Sequence, residues 1–397
     1  MIKHFLYLSL MFFYINGIGY IFHFIISRRL GPEGYGEFMV LYSFMLTVGF
    51  ISSVYPTIAI KNILENKEEK LEVLRFLRIV AFITGLLFFS ILSILSPYLK
   101  DFLHISNTFS IIIIALVSLL IFLENVEKGY LQAENRFDIY SFLNGLELTL
   151  RLLFAIIFVN LGFGIEGALS SSVFSMLFSL IILVYLNKNI FGSIKKLSFK
   201  KMIKSFLLVS PSGFFVYADD IFIKRIFEPL IAGYFASASI LGKAYIWFIL
   251  TLFSVIFVKI SEKKEKAVKY ILYFFIFMIF SFGITEIILY FIGEKVFLLL
   301  FGEKYLQAYE ILPFYIFSVL PLLLNLVIYY VNISLEKAFF SVYVHLVFYY
   351  LGFAFIKFNS VYEYLAYIFI INAVFLMFNL LFFLKKFQDI HKQSIPQ

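Results

Sequence analysis

Six cations of this 397-residue chain fall inside long apolar stretches or at their ends: Arg28, Arg29, Arg151, Lys224, Arg225 and Lys243. Guanidinium and ammonium groups bind phosphate oxygens through charge-assisted hydrogen bonds, two at a time for arginine. An ionisable side chain at membrane depth costs at least about 2.5–3.5 kcal/mol, which makes each a functional candidate. Glu147 and Arg151 stand four apart and share a helix face, with Tyr140 and Asn144 extending the polar stripe. The spacing suits either a structural ion pair or a cavity lining. Asp219 and Asp220 precede Lys224 and Arg225, and Asp220 stands four before Lys224, so those two can pair. Lys243, about ten residues into its apolar segment, is too deep to reach the surface and is read as facing a cavity. Glu124 and Glu127 lie beside Lys128, where interfacial pairing is expected. Glu286 and His345 stand alone and receive no role. The balance is a cationic interior, suited to an amphiphile with an anionic headgroup.

The elements that must position these groups show an internal repeat. Arg28, Pro32, Gly36 and Phe38 form the set R-x3-P-x3-G-x-F, which returns at Arg225, Pro229, Gly233 and Phe235, 197 positions on. Each copy sits where one apolar segment ends and the next begins. By the same offset His23 matches Asp220, and a histidine and a carboxylate at equivalent positions of two repeats could form a protonation site. A helical span needs about 20 apolar residues. Twelve are predicted, near 5–26, 37–60, 76–96, 109–129, 139–159, 165–187, 205–226, 233–258, 270–292, 309–333, 339–357 and 363–384. With the N-terminus inside, 23 of the 33 Lys and Arg fall in inner loops and tails, eight fall outside, and Arg151 and Lys243 lie within spans. Both termini are therefore expected in the cytoplasm. A basic linker at 188–204 divides a six-helix half, 1–187, from a second half with its tail, 205–397. An even number of spans per half makes the duplication a parallel one, with a site expected at the interface of the repeats.

Composition narrows the class. Hydrophobic residues make up 62% and charged residues 15%, whereas a water-soluble chain carries about 25% charge. The net charge of +8 belongs to membrane orientation and implies no nucleic-acid partner. There are no cysteines, which removes disulfides and thiolate metal sites. The first apolar stretch, Phe5 to Ile26, is long enough to span and lacks a small-residue cleavage site, so no cleavable signal is expected. No loop exceeds about twenty residues, and there is no P-loop, H-E-x-x-H or dinucleotide-binding glycine set. No metal, cofactor or catalytic residue is expected.

Five segments carry a resemblance: "SRRLGPEGYGEF" at 27–38, "GYLQAENRFDIY" at 129–140, "LGFGIEGALSSS" at 161–172, "DDIFIKRIFEPLIAGYFASASILGK" at 219–243 and "LFGEKYLQAYEIL" at 300–312. In order and spacing the chain resembles the Wzx-type polysaccharide flippases of the multidrug/oligosaccharidyl-lipid/polysaccharide exporter superfamily. The resemblance implies an all-α membrane protein of about twelve helices, two six-helix bundles around a central cavity open alternately to either side. It implies as substrate an oligosaccharide repeat unit on polyprenyl pyrophosphate, moved for O-antigen or capsule export across the cytoplasmic membrane among membrane lipids and beside polymerase machinery. It assigns the pyrophosphate to Arg28, Arg29 and Arg225, with Arg151, Lys224 and Lys243 as further cavity cations. His23, Glu124, Glu147, Asp219 and Asp220 would serve coupling or charge balance. A multidrug/cation antiporter of the same superfamily would need an acidic cavity, and flippases of the peptidoglycan precursor usually carry extra helices. A membrane glycosyltransferase or polymerase using Asp219 and Asp220 would need a large outer loop to hold its acceptor.

Overall fold

A computed structural model describes residues 2–65, 67–187, 191–209, 211–262, 267–334 and 340–393. Inner lysines read at Lys188, Lys263, Lys264, Lys266 and Lys337 lie outside the described residues. The described chain is almost entirely helical, with no strand among the described residues: α1 (Ile2–Ser52), α2 (Val54–Glu65), α3 (Lys70–Leu103), α4 (Thr108–Ala133), α5 (Phe137–Asn160), α6 (Gly164–Asn187), α7 (Phe199–Val209), α8 (Pro211–Ile226), α9 (Pro229–Glu262), α10 (Ala267–Leu300), α11 (Ile311–Ser334), α12 (Phe340–Phe355) and α13 (Val361–Gln393).

Among the described residues nine helical stretches are long and apolar enough to cross a membrane. The first, Leu10–Glu65, supplies two crossings, because α1 reverses at Gly31 (φ 70°, ψ 174°), a left-handed conformation that glycine adopts without steric cost. Pro32 follows, where a missing N–H costs nothing at the first turn of the next helix. With the shorter α12 and the pair α7 and α8, the expected twelve segments are accounted for. The sequence places span two at 37–60 without interruption, but the helix breaks at Ser53. Pro56 cannot donate into the preceding turn, and the hydroxyls of Ser52 and Ser53 bond the carbonyls of Gly49 (2.8 Å) and Phe50 (2.7 Å) instead.

Contacts divide the chain into two compact units, Met1–Gly213 and Phe214–Gln397. In the first, α4 is the hub, packed on α1, α2, α3 and α6, while α5 packs on α1 and α6. In the second, α11 packs on α9 and α13, and α12 packs on α13. Exposed Phe, Ile and Leu side chains run along α3, α10 and α13, as a surface solvated by lipid requires. Each copy of the repeated set ends on a core phenylalanine. Phe38 packs against Phe22, Tyr35, Tyr42 and the His23 ring, and Phe235 against Tyr315 and Tyr364. Two of the motif's four residues thus serve the fold, proline to start a helix and phenylalanine to anchor it.

The close approach of α4 to the break in span two depends on Gly129. A methyl group there would stand 2.6 Å from the Pro56 Cα and 3.0 Å from the Ala59 Cβ. Gly129→Ala is expected to destabilise the protein by about 1–3 kcal/mol, as forced overpacking does. A lowered melting temperature in detergent checks this, and an unchanged one would show that α2 can move off α4.

Candidate functional site: two buried charge networks

The first unit gathers four charged groups from two helices, with a serine from a third. On α4, Glu124 and Lys128 are one turn apart and their side chains meet at 3.1 Å. Lys128 Nζ also donates to Glu147 of α5 at 2.8 Å, and Arg151, one turn further along α5, donates to the other Glu147 oxygen at 2.7 Å. Ser179 of α6 donates to Glu124 at 2.6 Å. Glu124, Glu147 and Arg151 are all under a tenth exposed. Two acids thus face two bases, the arrangement that makes buried charge tolerable. Arg151 Nε is buried with no hydrogen-bond acceptor among the described residues, and Tyr42 lies beside the same guanidinium. Next to this chain of charges, Arg78 of α3 holds Glu127 through two bonds, 2.5 and 2.9 Å, and Asn187 of α6 donates to Glu127 at 2.7 Å. His23 adjoins this network through Tyr42, against which its ring stands edge-on, and its Nδ1 is 3.1 Å from the Tyr35 hydroxyl.

The second unit builds a tighter cluster. Lys243 of α9 is 1% exposed and donates to Asp219 Oδ1 (3.0 Å) and Asp220 Oδ2 (2.5 Å) of α8. Every carboxylate oxygen is engaged: Tyr315 of α11 donates to Asp219 Oδ2 at 2.6 Å, and Ser239 to Asp220 Oδ1 at 2.6 Å. The Lys243 ammonium also faces the rings of Tyr217 and Tyr315, 5.4 and 5.7 Å from their centroids. Tyr364 of α13 donates to the Asp219 carbonyl at 2.7 Å, tying the cluster to a fourth helix. Ser239 and Tyr42 stand 197 apart, as do Asp220 and His23. At positions 197 apart the side chains thus carry different chemistry, a carboxylate–serine bond in one unit and a histidine–tyrosine contact in the other.

The family of polysaccharide biosynthesis proteins matches residues 1–244. The chain belongs to that family. No curated protein matches it. Its fold is that of superfamily transporters. An inward-facing multidrug resistance MATE family transporter of the MOP superfamily superposes with a TM-score of 0.74 at 17% identity, over 96% of each chain. A MATE transporter in complex with MaL6 gives 0.63 at 16% identity, over 98% of this chain and 96% of that one. A MOP superfamily transporter from Pyrococcus furiosus, described as having a binding pocket of reverse polarity that suggests a different function, gives 0.55 at 16%, over 96% and 95%. At such identities the likeness establishes the fold, and this member of the family is a multi-pass membrane protein of transporter architecture.

Within this family member the expected site residues separate into two sets. Arg151 and Lys243 are not free cavity cations, because burial forced each against carboxylates: Glu147 for one, Asp219 and Asp220 for the other. The cationic interior read from the sequence is, at these positions, a set of ion pairs. Asp220, expected to pair with Lys224 along its own helix, pairs with Lys243 across to α9. Arg28 and Arg29 are exposed, and Arg29 donates to Asn160 at the end of α5. Lys224 is buried and Arg225 half-buried at the last turn of α8. Lys128 pairs with Glu124 as expected from their spacing, but it also bridges to Glu147 of α5, which sequence reading missed, while Glu127 is held by Arg78 instead. His345 is not isolated: its Nδ1 is 2.8 Å from the Tyr329 hydroxyl, and Asn379 donates to that oxygen at 3.0 Å and to Asn325 at 2.7 Å. Partners this far along the chain leave no local pattern to read.

Proposed function

We propose that this protein translocates a polyprenyl-pyrophosphate-linked oligosaccharide across the cytoplasmic membrane for surface polysaccharide synthesis, its termini in the cytoplasm. The observation that carries the reading is the family match over 1–244, a stretch that takes in both copies of the repeated arginine set and Lys243. The substrate's pyrophosphate needs fork-shaped cationic donors, its sugars need a polar path, and its tail can remain in lipid. Arg28, Arg29 and Arg225, with Lys224, supply the cations in this reading. Arg151 adds a guanidinium held on one side by Glu147, with a buried N–H that no atom of the described residues accepts. His23, Glu124, Glu147, Asp219 and Asp220 serve charge balance and coupling. Alternating access of the two six-helix halves moves the headgroup without a covalent step, so translocation requires no catalytic residue.

The test is translocation of a fluorescent polyprenyl-pyrophosphate oligosaccharide in proteoliposomes. A charge-assisted hydrogen bond contributes about 1.5–3 kcal/mol, so Arg28→Ala with Arg225→Ala should slow transport by on the order of tenfold or more per residue. Melting temperatures should move little, since Arg28 is exposed and Arg225 only half-buried. Unchanged translocation would remove the pyrophosphate clamp. Export of organic cations by the wild type, with no movement of the lipid-linked glycan, would assign it instead the multidrug transport that the same fold supports in other proteins.

A further inference from the structure

Glu286 lies on α10, the helix with the least burial of the nine spanning stretches. The nearest charged residues along that helix are Glu294, eight residues on, and Lys269, seventeen before, about 12 and 26 Å away at the helical rise. Between them the helix is apolar apart from scattered hydroxyls. A carboxylate side chain is too short to reach either end, so Glu286 stays within the hydrocarbon. The residue is half-buried, and its Oε1 is buried with no hydrogen-bond partner among the described residues.

Among the described residues the elements packed on α10 form no ion pair with Glu286: Lys243 of α9 is held by Asp219 and Asp220, and Lys304 of the turn at 303–310 makes no salt bridge to it. From α9 comes Tyr245, whose hydroxyl is 3.2 Å from the Met278 carbonyl and 2.9 Å from Ser281 Oγ, one turn before Glu286. The turn at 303–310 contributes Tyr309, which donates to the Leu289 carbonyl at 3.0 Å. On the α11 side Phe317 lies 6.0 Å from Phe282. Every other acid described above at membrane depth is held by a lysine, an arginine or several hydroxyls. Glu286 forms no ion pair among the described residues.

We propose that Glu286 is a proton-binding site: a neutral acid while its face of α10 is in lipid, which gives its proton to water when transport exposes that face. The neutral acid is the form that hydrocarbon tolerates, because an isolated carboxylate there lacks any compensating charge. One proton would then accompany each cycle, which couples the proposed transport to a proton gradient. The inference rests on the transporter reading for its consequence, but not for the site itself.

The experiment uses the full chain in liposomes and dicyclohexylcarbodiimide, an apolar reagent for neutral carboxylic acids. The acid O–H adds across one C=N bond to give an O-acylisourea, which rearranges to a stable N-acylurea that peptide mass mapping can locate. Labelling of Glu286 is expected in mildly acidic buffer and lost in alkaline buffer, and Glu286→Gln should abolish it. In the translocation assay, Glu286→Gln should lose the acceleration that an imposed proton gradient gives the wild type, and Glu286→Asp should keep part of it. Absent labelling, equal labelling in both buffers, or a Glu286→Gln protein that answers the gradient like wild type would each overturn the proposal. If Glu286 labels as expected while the wild type moves no lipid-linked glycan, the substrate reading fails and the proton site stands.

Discussion

Lys243→Met is expected to be the most damaging single substitution in the chain. The ammonium lies between Asp219 and Asp220 at 3.0 and 2.5 Å, and all three side chains are within 3% of complete burial. Methionine fills much the same volume, so the change removes charge while leaving little cavity. Two carboxylates would remain, adjacent along α8, with Tyr315 and Ser239 still donating to them but no ammonium between them. Breaking a buried ion pair on one side costs about 3–5 kcal/mol, because the other charge stays desolvated. Against a total stability of about 5–15 kcal/mol, that depletes much of the margin. The expected result is a large drop in melting temperature and in monodisperse yield from detergent. Lys243→Met combined with Asp219→Asn and Asp220→Asn should recover most of the loss, since an amide oxygen can still accept from Tyr315 and from Ser239. A single variant that melts like wild type, or a triple variant no better than the single, would mean that the cluster is not held by charge.

Lys128→Met should come second, and its smaller effect is itself informative. Lys128 neutralises both Glu124 and Glu147, yet each acid keeps another donor when it is lost: Ser179 for the first and Arg151 for the second. The cost should therefore lie nearer 3 than 5 kcal/mol on the same scale. Adding Glu124→Gln should restore part of it, because the amide removes the acid left with only a serine. The pair is coupled through shared atoms, so the two changes should be non-additive by about 0.5–3 kcal/mol in a double-mutant cycle. Strict additivity would sink the network as described.

The legible part of this protein was one-dimensional. A run of about twenty apolar residues is bound to become a helix in lipid, because only internal hydrogen bonds satisfy its backbone there. Twelve segments could therefore be placed from hydropathy, though not the break at Ser53, where a proline and two serine hydroxyls override an otherwise helical run. The spacing of Glu147 and Arg151 also transmitted their pairing, since four residues is one helical turn and the bond is local. Asp220 shows where such reasoning stops. Lys224, one turn along the same helix, was the expected partner and Lys243 was read as facing a cavity, yet the approach of α9 to α8 brings Lys243 within 2.5 Å.

By itself, then, the sequence determined the class, the approximate count of spans and the set of charges that membrane depth makes costly. All of these follow from the solvent and from local helix geometry. Which charges neutralise each other was decided only by tertiary structure. A buried ammonium pairs with whatever carboxylate lies across the helix interface, and that distance has no counterpart in sequence separation. Burial turned Arg151 and Lys243 from expected free cations into members of ion pairs, and it left Glu286, nine residues from the nearest lysine on its own helix, without an ion pair among the described residues.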